Sequence, residues 1–165
     1  MNIRKLSILT LSHAATCLLG FAIGIYTLPI LLAPDSPDES ALSAAVNASK
    51  YTAEFQKDLT DSDAFHWGEG VVSISSKQIA FKGELAPGPD YKLYLSPAYL
   101  ETEAEFHRLK PSMVKVGDIK TFDNFIVSIP AEIDPFQYST VIVWCETFSE
   151  FITAAQYQSS PSRAN

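Results

Sequence analysis

Hydrophobic positions along this chain fall into two unlike patterns. From Leu6 to Ala33 they are nearly continuous, broken only by small or weakly polar groups such as Ser7, Thr10, Ser12, His13 and Thr16. From Gly70 onward they come in runs of five to eight residues, each closed by Gly, Pro, Asp or Ser. The first pattern predicts one long apolar helix, the second a series of strands.

The cleanest part of the first run, Ala14 to Ala33, is about 20 residues, enough at roughly 1.5 Å each to cross a ~30 Å hydrocarbon core. A secretory signal has an apolar core of roughly 7 to 15 residues followed by small residues at a cleavage site. This run is longer, and Val46-Asn47-Ala48, which could mimic such a site, lies well beyond it. Residues 1–33 therefore predict a signal-anchor transmembrane helix with membrane contact through 6–33, a cleaved secretion signal being the alternative. Cys17 follows Thr16 rather than a small Gly or Ala, which argues against lipidation. Arg4 and Lys5 precede the run, and Asp35, Asp38 and Glu39 follow it, so the positive-inside rule puts the N-terminus in the cytoplasm. The rest of the chain is then periplasmic or extracellular.

Residues 34–50, "PDSPDESALSAAVNASK", show no apolar periodicity and read as a flexible linker. Tyr51 to Leu59 is open between a short amphipathic helix and a lead-in strand. Beyond it, "GVVSIS", "QIAFKGEL", "YKLYLS", "MVKVGDI", "NFIVSIP", "STVIVWCE" and "FITAAQY" are rich in β-branched and aromatic residues. They predict an all-β domain over 51–158, an antiparallel sandwich or barrel-like fold of about seven strands. "AYLETEAEFHRLKP", 98–111, interrupts them with room for a helical turn or two. The polar tail from Gln156 reads as frayed, with 159–165 disordered.

Charge narrows the partners. The first 33 residues hold two of the twelve basic residues and none of the nineteen acidic ones, so the remainder carries a net of −9. Such a surface repels phosphate backbones, which excludes nucleic acid as a partner.

The chain has two cysteines, and one, Cys17, is in the apolar run. Cys145 is then a lone thiol in an exported domain, where it is either buried and inert, bound to something, or redox-active. In "TVIVWCETF" a two-residue period puts Val141, Val143 and Cys145 on one face and Ile142, Trp144 and Glu146 on the other. Both faces are largely apolar, which marks a central strand covered on both sides. Phe148, Phe151 and Tyr138 are candidates to cover the sulfur. A small core hydrophobe is the plain reading of such a cysteine, and a packing residue that of Trp144.

Three stretches, "FHWGEGVVSI" (65–74), "PGPDYKLYLSP" (87–97) and "YSTVIVWCETFSEFITAAQY" (138–157), together resemble the electron-transfer DM-thirteen domain family. "VGDIKTFDNFIVSIPAEID" (116–134) is similar to the segment that links them, and the likeness covers roughly 53–158. The resemblance implies a small exported β-domain, often associated with DOMON-type domains, with a proposed redox role around one cysteine. That cysteine falls on Cys145, its preceding aromatic on Trp144, the Gly-Pro-Asp turn on Gly88, Pro89 and Asp90, and a common histidine on His66. Cys145, His66, Trp144 and Asp90 are the expected cofactor-binding positions, Cys145 being also the redox candidate and His66 its partner, with a redox partner protein implied. Thr153 departs from the pattern, standing where many members carry a glycine.

His66 is the natural partner for Cys145, because imidazole can lower a thiol's pKa or serve as a second ligand; the alternative is a histidine hydrogen-bonded in the turn before the first strand. Asp90 reads as a turn residue, with a carboxylate at the site as the alternative. Asp58, Asp61 and Asp63 are spaced like a calcium loop but lack its glycine and distal Glu. Glu101, Glu103 and Glu105 read as a solvated face, and His107 as a solvated side chain. No CxxC, HExxH, Gly-x-Ser-x-Gly, phosphate loop or CxxCH is present. Non-covalent haem on Cys145, with or without His66, remains chemically allowed. A binding or scaffolding sandwich with a silent, buried Cys145 is the competing function.

Overall fold

The computed structural model describes residues 2–159. Helix α1, Ile3–Leu32, opens the chain. Its interior hydroxyls are satisfied locally: Ser7, Thr10 and Thr16 each donate to the carbonyl four residues back, and Ser12 to that of Leu9. This is how polar side chains are tolerated in an apolar helix. The helix is long and apolar enough, by length and composition, to cross a membrane.

Part of the stretch expected to be a flexible linker is a helix, α2, Glu39–Asn47. Asp38 caps it, its carboxylate accepting from the N–H of Ala41. Leu42 and Ala45 are buried against Ala80. One apolar stripe of two side chains suffices to dock a short helix, but is too brief to register as a period in an Ala- and Ser-rich sequence.

Eight strands follow, β1 Tyr51–Phe55, β2 Gly68–Ile74, β3 Gln78–Leu85, β4 Tyr91–Ser96, β5 Val114–Ile119, β6 Phe125–Ser128, β7 Thr140–Cys145 and β8 Glu150–Gln156. They form two four-stranded antiparallel sheets, ordered β1-β2-β3-β6 and β5-β4-β7-β8. The all-β expectation holds, and the added strand is β1, in the segment that the sequence left open. Helix α3, Glu103–Leu109, occupies the predicted helical interruption. The expected fray does not begin at Gln156: β8 includes that residue, Tyr157 donates to the Pro135 carbonyl and Gln158 to that of Phe136. Of the expected disordered tail, only Ser159 falls within the described residues.

The two sheets enclose the main core, which includes Phe55, Ile79, Phe81, Leu93, Val141, Val143 and Cys145. A second core, on the outer face of the β4–β7–β8 sheet, gathers Tyr94, Phe106, Ile142, Trp144 and Phe151 beneath α3. Strand β7 is thus interior in its sheet and covered on both faces, and all six of its residues are buried. The unbroken apolar reading of "TVIVWC" has this cause.

Candidate functional site

Strand β7 ends at Cys145, and a short turn leads to β8. Two elements fix that corner. Across the ladder, Tyr91 of β4 is the register partner of Cys145, and Tyr91 donates its hydroxyl to the Ala86 carbonyl at 2.7 Å. The preceding turn passes so close that a Cβ on Gly88 would meet the Tyr91 ring at 2.5 Å. Only glycine fits that approach. Asp90 then ties the turn to the β7–β8 corner: its carbonyl accepts from the Glu146 N–H at 3.1 Å, and its carboxylate accepts from the Thr147 hydroxyl at 3.0 Å and pairs with Lys92 at 2.7 Å. Glu146 is held from the other side by Tyr94 and by Lys110, at 3.0 Å.

Asp90 therefore bonds side chains and braces the corner. The hydrogen bond from Lys92, with that from Thr147, holds its carboxyl below the usual range, against a smaller opposing effect of burial.

Cys145 is 2% exposed. Burial pushes its thiol pKa up, since a thiolate loses its hydration there. The backbone N–H groups of Phe148, Asp90 and Thr147 act in the opposite direction by favouring the thiolate, and the Asp90 charge adds to the rise. The balance is a protonated thiol near neutrality. A low-pKa nucleophile, one of the states open to a lone cysteine, is not what this environment favours.

The sulfur's residue nevertheless borders a cavity of about 240 Å³, whose wall also includes His66, Phe65, Pro87, Gly88, Tyr91, Phe148 and Ile152. Cys145 and His66, far apart in the chain, meet at one space. His66 is also the turn histidine of the plainer reading: its Nδ1 lies 3.1 Å from the Asp63 carboxylate, which accepts in addition from the His66 and Phe65 N–H groups. With Nδ1 engaged, the ring nitrogen left for chemistry is Nε2. Helix α1 closes one side of the cavity with Ala22, Ile25 and Tyr26.

Trp144 lies elsewhere. It packs in the second core, stacked on Phe106 with ring centroids 3.7 Å apart and planes 6° from parallel, so the position expected from the resemblance to bind a group is a packing residue on the opposite face from Cys145. Of the aromatics considered as covers for the sulfur, Phe148 borders the cavity, Phe151 turns into the second core and Tyr138 packs at the edge of the main one. Asp63, which the sequence offers only as part of an acidic spacing, is the partner of His66. Its spacing of three residues, Asp63-Ala64-Phe65-His66, is the available signal, since Asp side chains bond backbone N–H groups two and three residues on.

The remaining acids brace loops. Asp61 accepts from the Glu103 N–H, Glu101 from Thr60 and Tyr99, and Glu105 from the Glu101 N–H. The row of glutamates is thus partly engaged rather than simply solvated. His107 is exposed, with its ring edge-on to Trp144. Thr153, at the position where a glycine was expected, packs its methyl group over Gly68, where an added Cβ would meet it at 2.6 Å. The glycine at this contact is supplied by β2 of the facing sheet.

At about 240 Å³ the cavity falls below the ~300–1,000 Å³ of drug-sized ligand pockets. Among the described residues, no three His, Cys, Asp or Glu side chains converge as a metal-ligand set.

Comparison with known proteins completes the assignment. Neither the curated proteins nor the solved structures yield a match to this chain. The family model described as electron transfer DM13, the DM-thirteen domain, matches residues 54–157, from the penultimate residue of β1 to the residue after β8. The chain belongs to the electron transfer DM13 family.

Proposed function

We propose that this protein is a membrane-anchored, extracytoplasmic electron-transfer module whose redox site is the cavity shared by Cys145 and His66. Family membership supports a general redox role. The observation that carries the finer reading is that the thiol and the imidazole border the same half-open cavity. Cys145 acts there as a protonated thiol or as the ligand of a bound group. His66, oriented by Asp63, offers Nε2 as proton acceptor or second ligand.

The anchor is α1. Arg4 and Lys5 at its start put the N-terminus in the cytoplasm and the sandwich outside. A redox partner protein supplies or takes the electrons.

The test uses the full chain, purified in detergent with Cys17→Ser so that one thiol remains. Electron exchange with a soluble redox dye is followed by stopped-flow absorbance. Loss of exchange in Cys145→Ser, with the circular dichroism spectrum unchanged, is the expected result. Equal rates in the two proteins would remove Cys145 from the function.

A second reading has its own observation. The 2% exposure of Cys145 and its raised pKa suit a silent core residue in a binding sandwich, and on that reading the dye exchange is absent from both proteins.

A further inference from the structure

The cavity beside Cys145 is bordered on one side by the very helix proposed to cross the membrane. Helix α1 has 30 residues, roughly 45 Å at 1.5 Å per residue, against about 30 Å of hydrocarbon. Its excess has a definite location. Ala22, Ile25 and Tyr26 border the Cys145 cavity, and Leu28, Pro29 and Leu32 a neighbouring one against Gly88 and Phe122. A sandwich with charged strand edges cannot enter hydrocarbon, so the residues that touch it lie outside the lipid core. The crossing part is then Leu6 to Phe21 rather than Ala14 to Ala33, roughly 24 Å at 1.5 Å per residue, a short span met by local thinning of the bilayer and by snorkelling of Arg4 and Lys5 on the cytoplasmic side. Tyr26 falls at headgroup depth, where tyrosine is enriched. The cavity then sits at the membrane surface, beside the helix that leads into the bilayer.

The lining decides what that ligand is. Phe65, Tyr91, Phe148, Ile152 and Ile25 make apolar and aromatic walls, and no Lys or Arg borders the space. A phosphate headgroup therefore has no counter-charge, and the domain's net negative charge opposes it. A flat, uncharged ring with carbonyl or hydroxyl groups suits the aromatic walls, and the Asp63-held imidazole supplies one hydrogen-bonding partner for such a group. We infer that the cavity binds the ring of a lipid-soluble quinone or quinol, with the isoprenoid or alkyl tail leaving along α1 into the bilayer. This inference rests on the proposed anchoring by α1, and it deepens the redox reading by naming a carrier class.

The probe is a fully substituted decyl-benzoquinone, which has no free ring carbon for addition of a thiol, with decanol as the tail-only control. The full chain, in phosphatidylcholine nanodiscs and labelled on isoleucine methyl groups, is titrated with each and followed by nuclear magnetic resonance. Expected are saturable shifts of Ile25 and Ile152 with the quinone, none at Ile79 in the sealed core, and none with decanol. Ile25→Trp, which fills the space from the helix side, should abolish the Ile152 shift while Ile79 stays in place. The dye exchange of Cys145→Ser reads the thiol's redox role and the isoleucine shifts of the parent chain read the quinone site, so the failure of one and the failure of the other are distinguishable. Equal shifts with decanol, a shift confined to Ile25, or an Ile152 shift surviving in Ile25→Trp would each overturn the inference.

Discussion

Tyr91 and Cys145 face each other across β4 and β7, so the Gly88-Pro89-Asp90 turn that leads into Tyr91 is delivered to the thiol by strand register. The sandwich supplies the frame, and the pairing supplies the placement. Gly88 is the tightest point of that arrangement, because the Tyr91 ring occupies the place of any side chain there. Gly88→Ala is expected to destabilise the domain by about 1–3 kcal/mol through overpacking, read from the urea midpoint at unchanged slope. Adding Tyr91→Leu, which removes the ring, should recover part of the loss. A Gly88→Ala protein as stable as the parent would contradict the close approach.

The opposite face of β7 makes a separable prediction. Trp144 is fully buried and stacked on Phe106, so Phe106→Ala should cost about 3–5 kcal/mol. The labelling rate of Cys145 by a small maleimide under native conditions should hardly change, since the sulfur is on the other side of the sheet. A large increase would show that α3 and the second core guard the thiol after all.

Alkaline pH should weaken the fold through Cys145. Burial raises its pKa in the folded state, so the folded protein holds the proton more tightly than the unfolded chain. The resulting stability is complete below the free thiol's value of about 8.5 and is lost as pH rises through the folded value. Tyr91 and Tyr157 are shifted the same way by burial and contribute a common background. Comparing stability against pH for the parent and Cys145→Ser isolates the thiol, and the parent should fall more steeply above about pH 8.5. Parallel curves would mean that the thiol ionises as freely in the folded protein as in the unfolded one.

The acid side has the reverse sign. The hydrogen bond from Lys92, helped by that from Thr147, holds the Asp90 carboxyl low in the folded state. The contribution is present above the ordinary carboxylate value of about 3.9 and disappears as pH falls through the lowered one. Asp90→Asn should flatten the loss of stability below about pH 5, as measured by thermal unfolding across that range. An unaltered acid limb would assign the acid sensitivity to other carboxyls such as Glu146 or Glu101.

Thr153 carries a buried hydroxyl without a hydrogen-bond partner, while its methyl group fills the hollow over Gly68. Thr153→Val keeps that methyl and removes the orphan polar atom, so a gain of about 1 kcal/mol is expected, read as a rise in Tm. A loss of similar size would reveal a partner for the hydroxyl.

Strand content was legible because β-branched and aromatic runs closed by turn residues bury one or both faces whatever lies around them. The alternation in "TVIVWC" correctly separated Cys145 from Trp144, because side chains in a strand have only two directions to choose from. The helix within 34–50 was not legible, since two small apolar contacts with β3 and β6 hold it and no strong period marks it. Nor was β1, whose Tyr51, Ala53 and Phe55 alternate with Thr52 and Glu54 but make a run too short to tell strand from helix, and which pairs with β2 as an edge.

By itself, then, the order of residues determined an apolar helix followed by an antiparallel β-domain, the two faces of β7, and the acidic balance beyond the helix. These are local properties, set by periodicity, composition and chain geometry. Tertiary structure alone decided that Cys145 shares a cavity with an Asp63-held His66, that Asp90 braces the corner beside it, and that α1 borders the space on one side. Those facts depend on which strands become neighbours and how the sheets stack, and long-range pairing of that kind leaves no spacing in the sequence from which to read it.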